Sequence, residues 1–242
     1  MKYVIANWKM NLPKDKLETY LKEIDKIRLS ELEVIIAPPS PYIALLREKY
    51  PNIVLACQDF STVENEYGSF TGEVGSKMMS NLGIRYSIIG HSERRKNFED
   101  TNEKILLKTK LALDAAIKPI ICIGENFKNL ESPSDRHGWK EFLDKQIQGS
   151  LLATEEEIIV AYEPVWAIGS GIAAGISEII ERSEYIVKRV NKVAKRARLV
   201  YGGSVMSQNA PEIAKIEGLS GVLVGNASLD IEEFIKIVKT YA

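Results

Sequence analysis

Five short polar clusters in this sequence are hard to explain by packing alone. Side chains that exchange protons or donate hydrogen bonds to an oxyanion dominate three of them. Glycine and small polar residues make up the other two, and glycine lets backbone N–H groups approach an anion closely. The clusters are Asn7-Trp8-Lys9, His91-Ser92-Glu93-Arg94-Arg95, Glu163-Pro164-Val165-Trp166, Gly202-Gly203-Ser204 and Gly225-Asn226-Ala227-Ser228. They are the candidate functional residues if the fold brings them together.

Taken singly, the reactive side chains also have ordinary structural explanations. Glu163 fits a strand-end carboxylate in an ion pair, His91 a hydrogen-bonded structural histidine, and Lys9 a solvated surface lysine. Their positions favour a functional role, because every cluster follows the carboxyl end of a predicted strand. In a closed parallel barrel those ends converge on one face, where enzymes of this architecture have their active sites.

Eight short apolar runs without strict alternation predict strands that are covered on both faces. Helix-like segments separate them, which indicates parallel βαβ units. An open, doubly wound sheet is the competing architecture, but eight near-regular units and no Gly-x-Gly-x-x-Gly after the first strand favour closure. We therefore predict an α/β fold, a (β/α)8 closed eight-stranded parallel barrel surrounded by helices, as one domain over residues 1–242. The predicted strands are Tyr3–Ala6, Val34–Ala37, Ile53–Cys57, Tyr86–Gly90, Pro119–Ile123, Ile158–Tyr162, Leu199–Tyr201 and Val222–Val224.

Apolar residues at helical spacing predict four helices between the strands. The four segments are Asp15–Ile27, Thr101–Ala115, Ser177–Ala194 and Asp230–Lys239. The second opens with a capping-type start at Thr101. The third is expected to carry its apolar stripe on Ile180, Tyr185, Val187 and Val190. Residues 126–138 are predicted to form an exposed loop with a frayed helix start.

Composition and charge argue against several classes of function. The 32 basic and 33 acidic residues form no long block of either sign, so we expect no nucleic-acid partner and no anionic membrane surface. Two histidines, His91 and His137, are too few for a histidine-rich site, and we expect no metal and no cofactor. Cys57 and Cys122 lie in apolar runs and are expected to be buried, reduced thiols. The amino terminus lacks a signal-peptide core and no apolar stretch has membrane length, so a cytoplasmic location is expected.

With their flanking residues, the five clusters resemble the triosephosphate isomerase family over nearly the whole chain. The matching stretches are N-W-K-M-N at 7–11, G-H-S-E-R-R at 90–95, A-Y-E-P-V-W-A-I-G-S-G at 161–171, Y-G-G-S-V at 201–205 and V-G-N-A-S-L at 224–229. Five matches in the family's order are far more specific than any one of them. The resemblance implies a TIM barrel that interconverts dihydroxyacetone phosphate and D-glyceraldehyde 3-phosphate, in glycolysis and gluconeogenesis.

The resemblance also implies catalytic roles. Glu163 would be the base that transfers a proton through an enediolate, with His91 and Lys9 as electrophiles that stabilise the developing charge. Asn7 would be a further donor and positioner, and His91 would act as a neutral imidazole. Glu93 is a secondary candidate that either orients Lys9 through an ion pair or has a purely structural role.

Substrate phosphate is expected to bind to backbone N–H groups at positions taken from the same resemblance. These positions are Gly169, Ser204, Gly225 and Asn226. Asn226 stands where the family usually has a second glycine. The change keeps the backbone N–H group and would alter the affinity for the substrate phosphate rather than remove the site. Asn also tolerates a positive φ better than most residues.

The run Pro164–Ala174 resembles the family's mobile lid, and Tyr201 would be the latch of its closed state. Ser170, Ile172 and the pair Gly175-Ile176 depart from the usual lid residues. These departures imply a looser carboxyl-terminal hinge and slower or weaker closure.

The stretch Gln58–Gly75 resembles the loop by which one subunit enters the site of its partner. A homodimer is therefore implied, in which Thr71 supports the neighbour's Asn7 and Lys9. Phe98-Glu99-Asp100 stands where the family has F-G-E, and the shorter carboxylate of Asp100 is expected to weaken subunit packing or a buried water network.

Two other functions compete with the isomerase. A metal-dependent epimerase needs a His/Asp/Glu set at strand ends, which two histidines cannot supply. A Schiff-base lyase needs a lysine within a barrel strand, whereas Lys9 lies just past one. A non-catalytic barrel kept as a binding protein is the second alternative. Intact Lys9, His91 and Glu163 argue against it, while the altered lid and Asn226 keep it open.

Overall fold

The computed structural model describes residues 1–11, 17–27, 29–125, 138–165 and 174–242. Within these ranges eight parallel strands form a closed barrel in sequence order, with β8 paired to β1. The fold prediction is confirmed, and each predicted strand lies within three residues of the observed one. The strands are β1 (Lys2–Asn7), β2 (Leu32–Ala37), β3 (Val54–Cys57), β4 (Tyr86–Ile89), β5 (Lys118–Ile123), β6 (Ile158–Tyr162), β7 (Ala197–Tyr201) and β8 (Leu219–Val224).

Helices surround this barrel and follow the strands along the chain. They are α1 (Leu17–Ile24), α2 (Ser40–Lys49), α3 (Ser76–Asn81), α4 (Ser92–Asn97), α5 (Asn102–Asp114), α6 (Gly138–Ser150), α7 (Ile176–Val190), α8 (Ala210–Ile213) and α9 (Ile231–Tyr241), with a 3-10 helix at Asn226–Leu229. The capping-type start of α5 is confirmed, because the Thr101 side chain accepts from the Lys104 N–H. Residues 126–137 of the predicted loop and residues 15–16 of the first predicted helix lie outside the described residues.

The buried stripe of α7 differs from the predicted one by about one residue. Ile180 is 38% exposed, whereas its neighbour Ile179 is fully buried. The observed buried face is Ile179, Arg182, Ser183, Ile186 and Val190. The prediction was wrong for Ile180 but right for Val190, while Tyr185 and Val187 are partly buried and pack against the core. Two polar residues occupy the buried face, so apolar spacing alone did not locate its centre.

Side chains of the barrel strands alternate between two apolar layers, as the two-residue period of a strand requires. Val4 and Ala6 on β1 face outward to the helices, while Tyr3 and Ile5 belong to the cluster inside the barrel. The remaining inner residues are Ile35, Ala37, Ala56, Tyr86, Ile88, Ile120, Cys122, Ile159, Ala161, Val200 and Leu223. Apolar residues therefore fill the barrel, and its interior is a packed core.

Both cysteines lie in this apolar interior or next to it. Cys57 and Cys122 are buried and free, which confirms the prediction of reduced, buried thiols. Burial raises the pKa of the Cys57 thiol to about 12. No helix in the described ranges is long and apolar enough to cross a membrane. The cytoplasmic location stays a prediction.

Four buried or half-buried charged groups connect α4 and α5 to the loop after β3. Lys108 Nζ lies 2.8 Å from Asp59 Oδ1 and 3.0 Å from Asp100 Oδ2. Arg94 Nε lies 2.7 Å from Asp59 Oδ2 and 2.9 Å from Asp100 Oδ2. Burial alone would raise the pKa of Asp100, but the hydrogen bonds and charges of Lys108 and Arg94 outweigh it and hold that pKa below its ordinary value. This charge cluster has no net charge and fixes α4 to the barrel.

Glu99 has a φ of 55°, in the left-handed region, at the position where the family motif has glycine. Its side chain is exposed, and the hydrogen bond from Lys104 Nζ goes to the Glu99 backbone carbonyl, which a glycine would keep. We expect Glu99→Gly to raise the free energy of unfolding by roughly 0.5–1 kcal/mol, measured by urea denaturation. The matched control is Glu103→Gly in the helical first turn of α5, which should lower stability by up to about 1 kcal/mol. Equal destabilisation by both substitutions would contradict the argument.

Candidate active site

The carboxyl ends of the strands surround a cavity of about 570 Å³. Asn7 and Glu163 continue the inward-facing positions of β1 and β6, two residues beyond Ile5 and Ala161. The predicted residues Lys9, His91, Ser204, Gly225 and Asn226 line the same cavity. Of the predicted site residues, Gly169 alone lies outside the described residues, with the rest of 166–173.

Glu163 is a buried carboxylate at the inner wall of this cavity. Its side chain is 2% exposed, and Oε2 accepts from the Ser92 backbone N–H at 3.1 Å. Oε1 lies 3.3 Å from His91 Nε2 but has no partner of hydrogen-bond geometry in the described part of the chain. Two glycines leave room around the residue. A Cβ on Gly124 would lie 1.7 Å from the Glu163 carbonyl oxygen, and a Cβ on Gly202 would lie 2.9 Å from the Glu163 Cγ. One carboxylate oxygen thus has a lone pair that no group in the described ranges binds with hydrogen-bond geometry.

His91 is fixed in one tautomer by the helix that it caps. It is the N-cap of α4, and its Nδ1 accepts from the Glu93 backbone N–H at 3.2 Å. An imidazole nitrogen that accepts a hydrogen bond carries no proton, so the neutral ring has its proton on Nε2. That nitrogen faces Glu163 and the cavity. In its neutral form, His91 therefore directs an N–H donor at the site.

Lys9 is held in a strained backbone conformation by its neighbours. Its φ is 52°, its N–H donates to Asn7 Oδ1 at 3.0 Å, and its carbonyl accepts from Gln58 Nε2 at 2.8 Å. Gln58 Nε2 also donates to the Ala37 carbonyl. The Lys9 Nζ is 2.6 Å from Glu93 Oε1, so the predicted ion pair is present. Sequence reasoning missed Gln58, whose only signal was its place at the start of the 58–75 loop.

The opposite wall of the cavity offers backbone amides. The N–H groups of Val205, Gly225 and Asn226 have no acceptor among the residues that the structure describes. Asn226 begins the 3-10 helix with a negative φ, so its side chain causes no backbone strain at this position. Unpaired amides at the start of a helix attract anions. Ser204 lies in the same wall, and Val205 was not predicted.

The charge of the cavity is mixed. Among its described lining residues, Lys9 is the one cation with a permanent charge, and Glu163, Asp230 and Glu233 are carboxylates. Backbone dipoles rather than side-chain charges must therefore provide most of the attraction for an anion on the amide wall. The described residues contain no group of three His, Cys, Asp or Glu side chains that could hold a metal ion.

Comparison with known proteins identifies the family of the chain. The family model described as "Triosephosphate isomerase" matches residues 2–241. The chain belongs to the triosephosphate isomerase family. Similar proteins of that name come from Mycoplasma mobile (36% identity, 98% of this chain and 99% of the relative), Dictyostelium discoideum (36%, 98% and 95%) and Coprinopsis cinerea (37%, 98% and 96%). The resemblance drawn from the five motifs is confirmed, and the family is one of isomerases.

Two predicted features of this family member are only partly described. In the lid run 164–174, residues 166–173 lie outside the described residues, so the effects of Ser170 and Ile172 stay predictions. Tyr201, the predicted latch, is fully buried, and a Cβ on Gly203 would lie 2.1 Å from its hydroxyl. Gly203 therefore permits the close approach of the loop to Tyr201.

The tautomer of His91 is a measurable property of the free protein. We expect ¹⁵N NMR at mildly alkaline pH to show a protonated Nε2 and a bare Nδ1, because Nδ1 accepts from Glu93 N–H. His137→Gln removes the signals of the other histidine and leaves those of His91. A proton found on Nδ1 would show that the helix cap does not set the tautomer.

Proposed function

We propose that this chain is a triosephosphate isomerase that interconverts dihydroxyacetone phosphate and D-glyceraldehyde 3-phosphate. One observation carries the proposal: the buried Glu163 carboxylate faces the His91 Nε2 in a cavity whose other wall has backbone amides without an acceptor among the described residues. Relatives that carry this name over nearly the full chain support it. We also propose that residues 1–242 form one catalytic domain.

Glu163 acts as the base in this proposal. It takes a proton from the carbon beside the carbonyl, which produces an enediolate, and returns a proton to the neighbouring carbon. Oε1 suits this role, because its lone pair is available without breaking a hydrogen bond to any residue that the structure describes. Burial also suits it, since a water-poor site keeps solvent from competing for the transferred proton.

His91 and Lys9 stabilise the charge that develops on the substrate oxygen. His91 donates from Nε2, and its orientation is fixed before the substrate arrives. Lys9 Nζ provides a positive charge, which Glu93 holds in place at 2.6 Å. Loss of one such preorganised donor typically costs about 3 kcal/mol of transition-state stabilisation. Asn7 supports this pair by fixing the Lys9 backbone.

The phosphate binds on the amide wall, at Ser204, Gly225 and Asn226, with Gly169 as a further donor from the lid. Backbone amides explain how a dianion binds in a cavity that has few positive side chains. Closure of the lid at 164–174 would exclude water from the enediolate, which protects it from side reactions.

We further propose that the active form is a homodimer. Residues 64–74 are exposed and carry three large apolar side chains, with Tyr67 69%, Phe70 42% and Val74 37% exposed. Exposed apolar groups on one protruding loop are typical of a protein contact. Thr71 on this loop would reach the partner's Asn7 and Lys9.

The test of the base is Glu163→Gln in a coupled assay of dihydroxyacetone phosphate conversion. We expect kcat to fall by roughly 10³-fold or more, because the amide cannot accept the proton. The exposed Glu212→Gln is the matched control and should retain wild-type activity. A folded wild-type dimer without turnover would overturn the proposed function and favour the binding-protein alternative.

The dimer is tested by placing a charge on the exposed loop. Phe70→Asp should shift the sedimentation coefficient to that of a monomer and lower activity, because it desolvates a carboxylate at the proposed contact. Phe142→Asp is the matched control, since Phe142 is similarly exposed, at 43%, and belongs to α6 rather than to the loop. An unchanged dimer in the first variant would place the contact elsewhere.

A further inference from the structure

The loop that joins β7 to α8, residues 202–209, forms the amide wall together with the segment after β8. We refer to it as the β7–α8 loop. It contributes Gly203, Ser204, Val205, Met206 and Gln208 to the lining of the cavity. It follows the buried strand residue Tyr201 and leads directly into the four-residue helix α8. A loop of this length has no regular secondary structure to hold its amides in place, so other contacts must do so.

Glu233, in the first turn of α9, holds the middle of this loop. Its Oε1 accepts from the Ser207 backbone N–H at 2.7 Å, and its Oε2 accepts from the Ser207 hydroxyl at 2.9 Å. Both oxygens of one carboxylate are thus used on a single loop residue. Hydrogen bonds to a charged acceptor are stronger than those between neutral groups.

Asn209 holds the same loop from its other end. Its Oδ1 accepts from the Met206 N–H at 2.9 Å, and its Nδ2 donates to the Ser204 carbonyl at 2.9 Å. The second bond fixes the peptide plane between Ser204 and Val205. Because that peptide is trans, its N–H points away from the carbonyl that Asn209 binds. This is the Val205 N–H that has no acceptor in the described part of the protein.

We propose that Glu233 and Asn209 are positioning residues that preorganise the β7–α8 loop for the substrate phosphate, an inference that rests on the proposed function. Neither residue touches the reacting atoms. Glu233 carries a cost, because its negative charge lines the cavity that receives an anion. Its two bonds to Ser207 compensate for that repulsion. The positioning role and a purely electrostatic role therefore have opposite consequences when the side chain is removed.

The first experiment measures binding of inorganic phosphate to the full chain by isothermal titration calorimetry. Glu233→Ala should weaken the Kd about tenfold, the effect expected from losing two hydrogen bonds that order the site. Glu233→Gln should keep affinity within about threefold or improve it, because its amide can bond the same serine N–H and hydroxyl without the charge. Glu232→Ala, an exposed neighbour in the same helical turn, is the control and should match the wild type.

The sign of the change in phosphate affinity decides between the positioning role and the electrostatic role. If Ala and Gln at position 233 both bind phosphate more tightly than the wild type, Glu233 acts only by repulsion and the positioning role is overturned. Equal affinity in all variants overturns it as well. If the wild type binds no phosphate, the phosphate site of the proposed function falls too, so the two failures are distinguishable.

Kinetics provide the second measurement. In Glu233→Ala and Asn209→Ala, KM for dihydroxyacetone phosphate should rise about tenfold with kcat nearly unchanged, because the lost interactions act on phosphate binding alone. Ser207→Ala removes only the hydroxyl bond and should have a smaller effect in the same direction. A fall in kcat without a change in KM, in variants that remain folded by circular dichroism, would contradict the proposal.

Discussion

The site depends on the alternation of side chains along strands that close into a barrel. Each strand must direct every second residue into the packed interior, and the last inward position lies at the carboxyl end of the barrel. On β1 this rule carries Tyr3 and Ile5 into the core and brings Asn7 to the cavity. On β6 it carries Ile159 and Ala161 inward and brings Glu163 beside them. The same alternation therefore fills the core with apolar side chains and directs the polar side chains at the strand ends into the cavity.

Residues outside the proposed chemistry hold each reactive group in place. Glu163 is bound by the Ser92 N–H, His91 by the Glu93 N–H, and the Lys9 carbonyl by Gln58. Two of the three holding groups are amides at the start of α4. A short helix thus sets the orientation of both the base and the imidazole, which explains why its attachment to the barrel matters.

The architecture could be predicted from the sequence because it follows from local patterns, and the described residues that were predicted for the site line one cavity. Apolar runs mark strands that are covered on both faces, and polar clusters mark their carboxyl ends. Sequence reasoning failed where polar residues face the core, as with Arg182 and Ser183 on α7. It also missed Gln58 and Glu233, because their roles come from contacts with residues far away in the chain. The strain at Glu99 was equally invisible, since it is a property of the backbone.

The charge cluster of Asp59, Arg94, Asp100 and Lys108 has a consequence for behaviour on heating. Hydration of charged groups becomes less favourable as temperature rises, so the cost of keeping these ions away from water decreases, whereas the hydrophobic contribution levels off. The attachment of α4 should therefore weaken less on warming than contacts that depend on apolar burial alone. Because α4 orients His91 and Glu163, their arrangement should persist on warming for as long as this cluster holds the helix to the barrel.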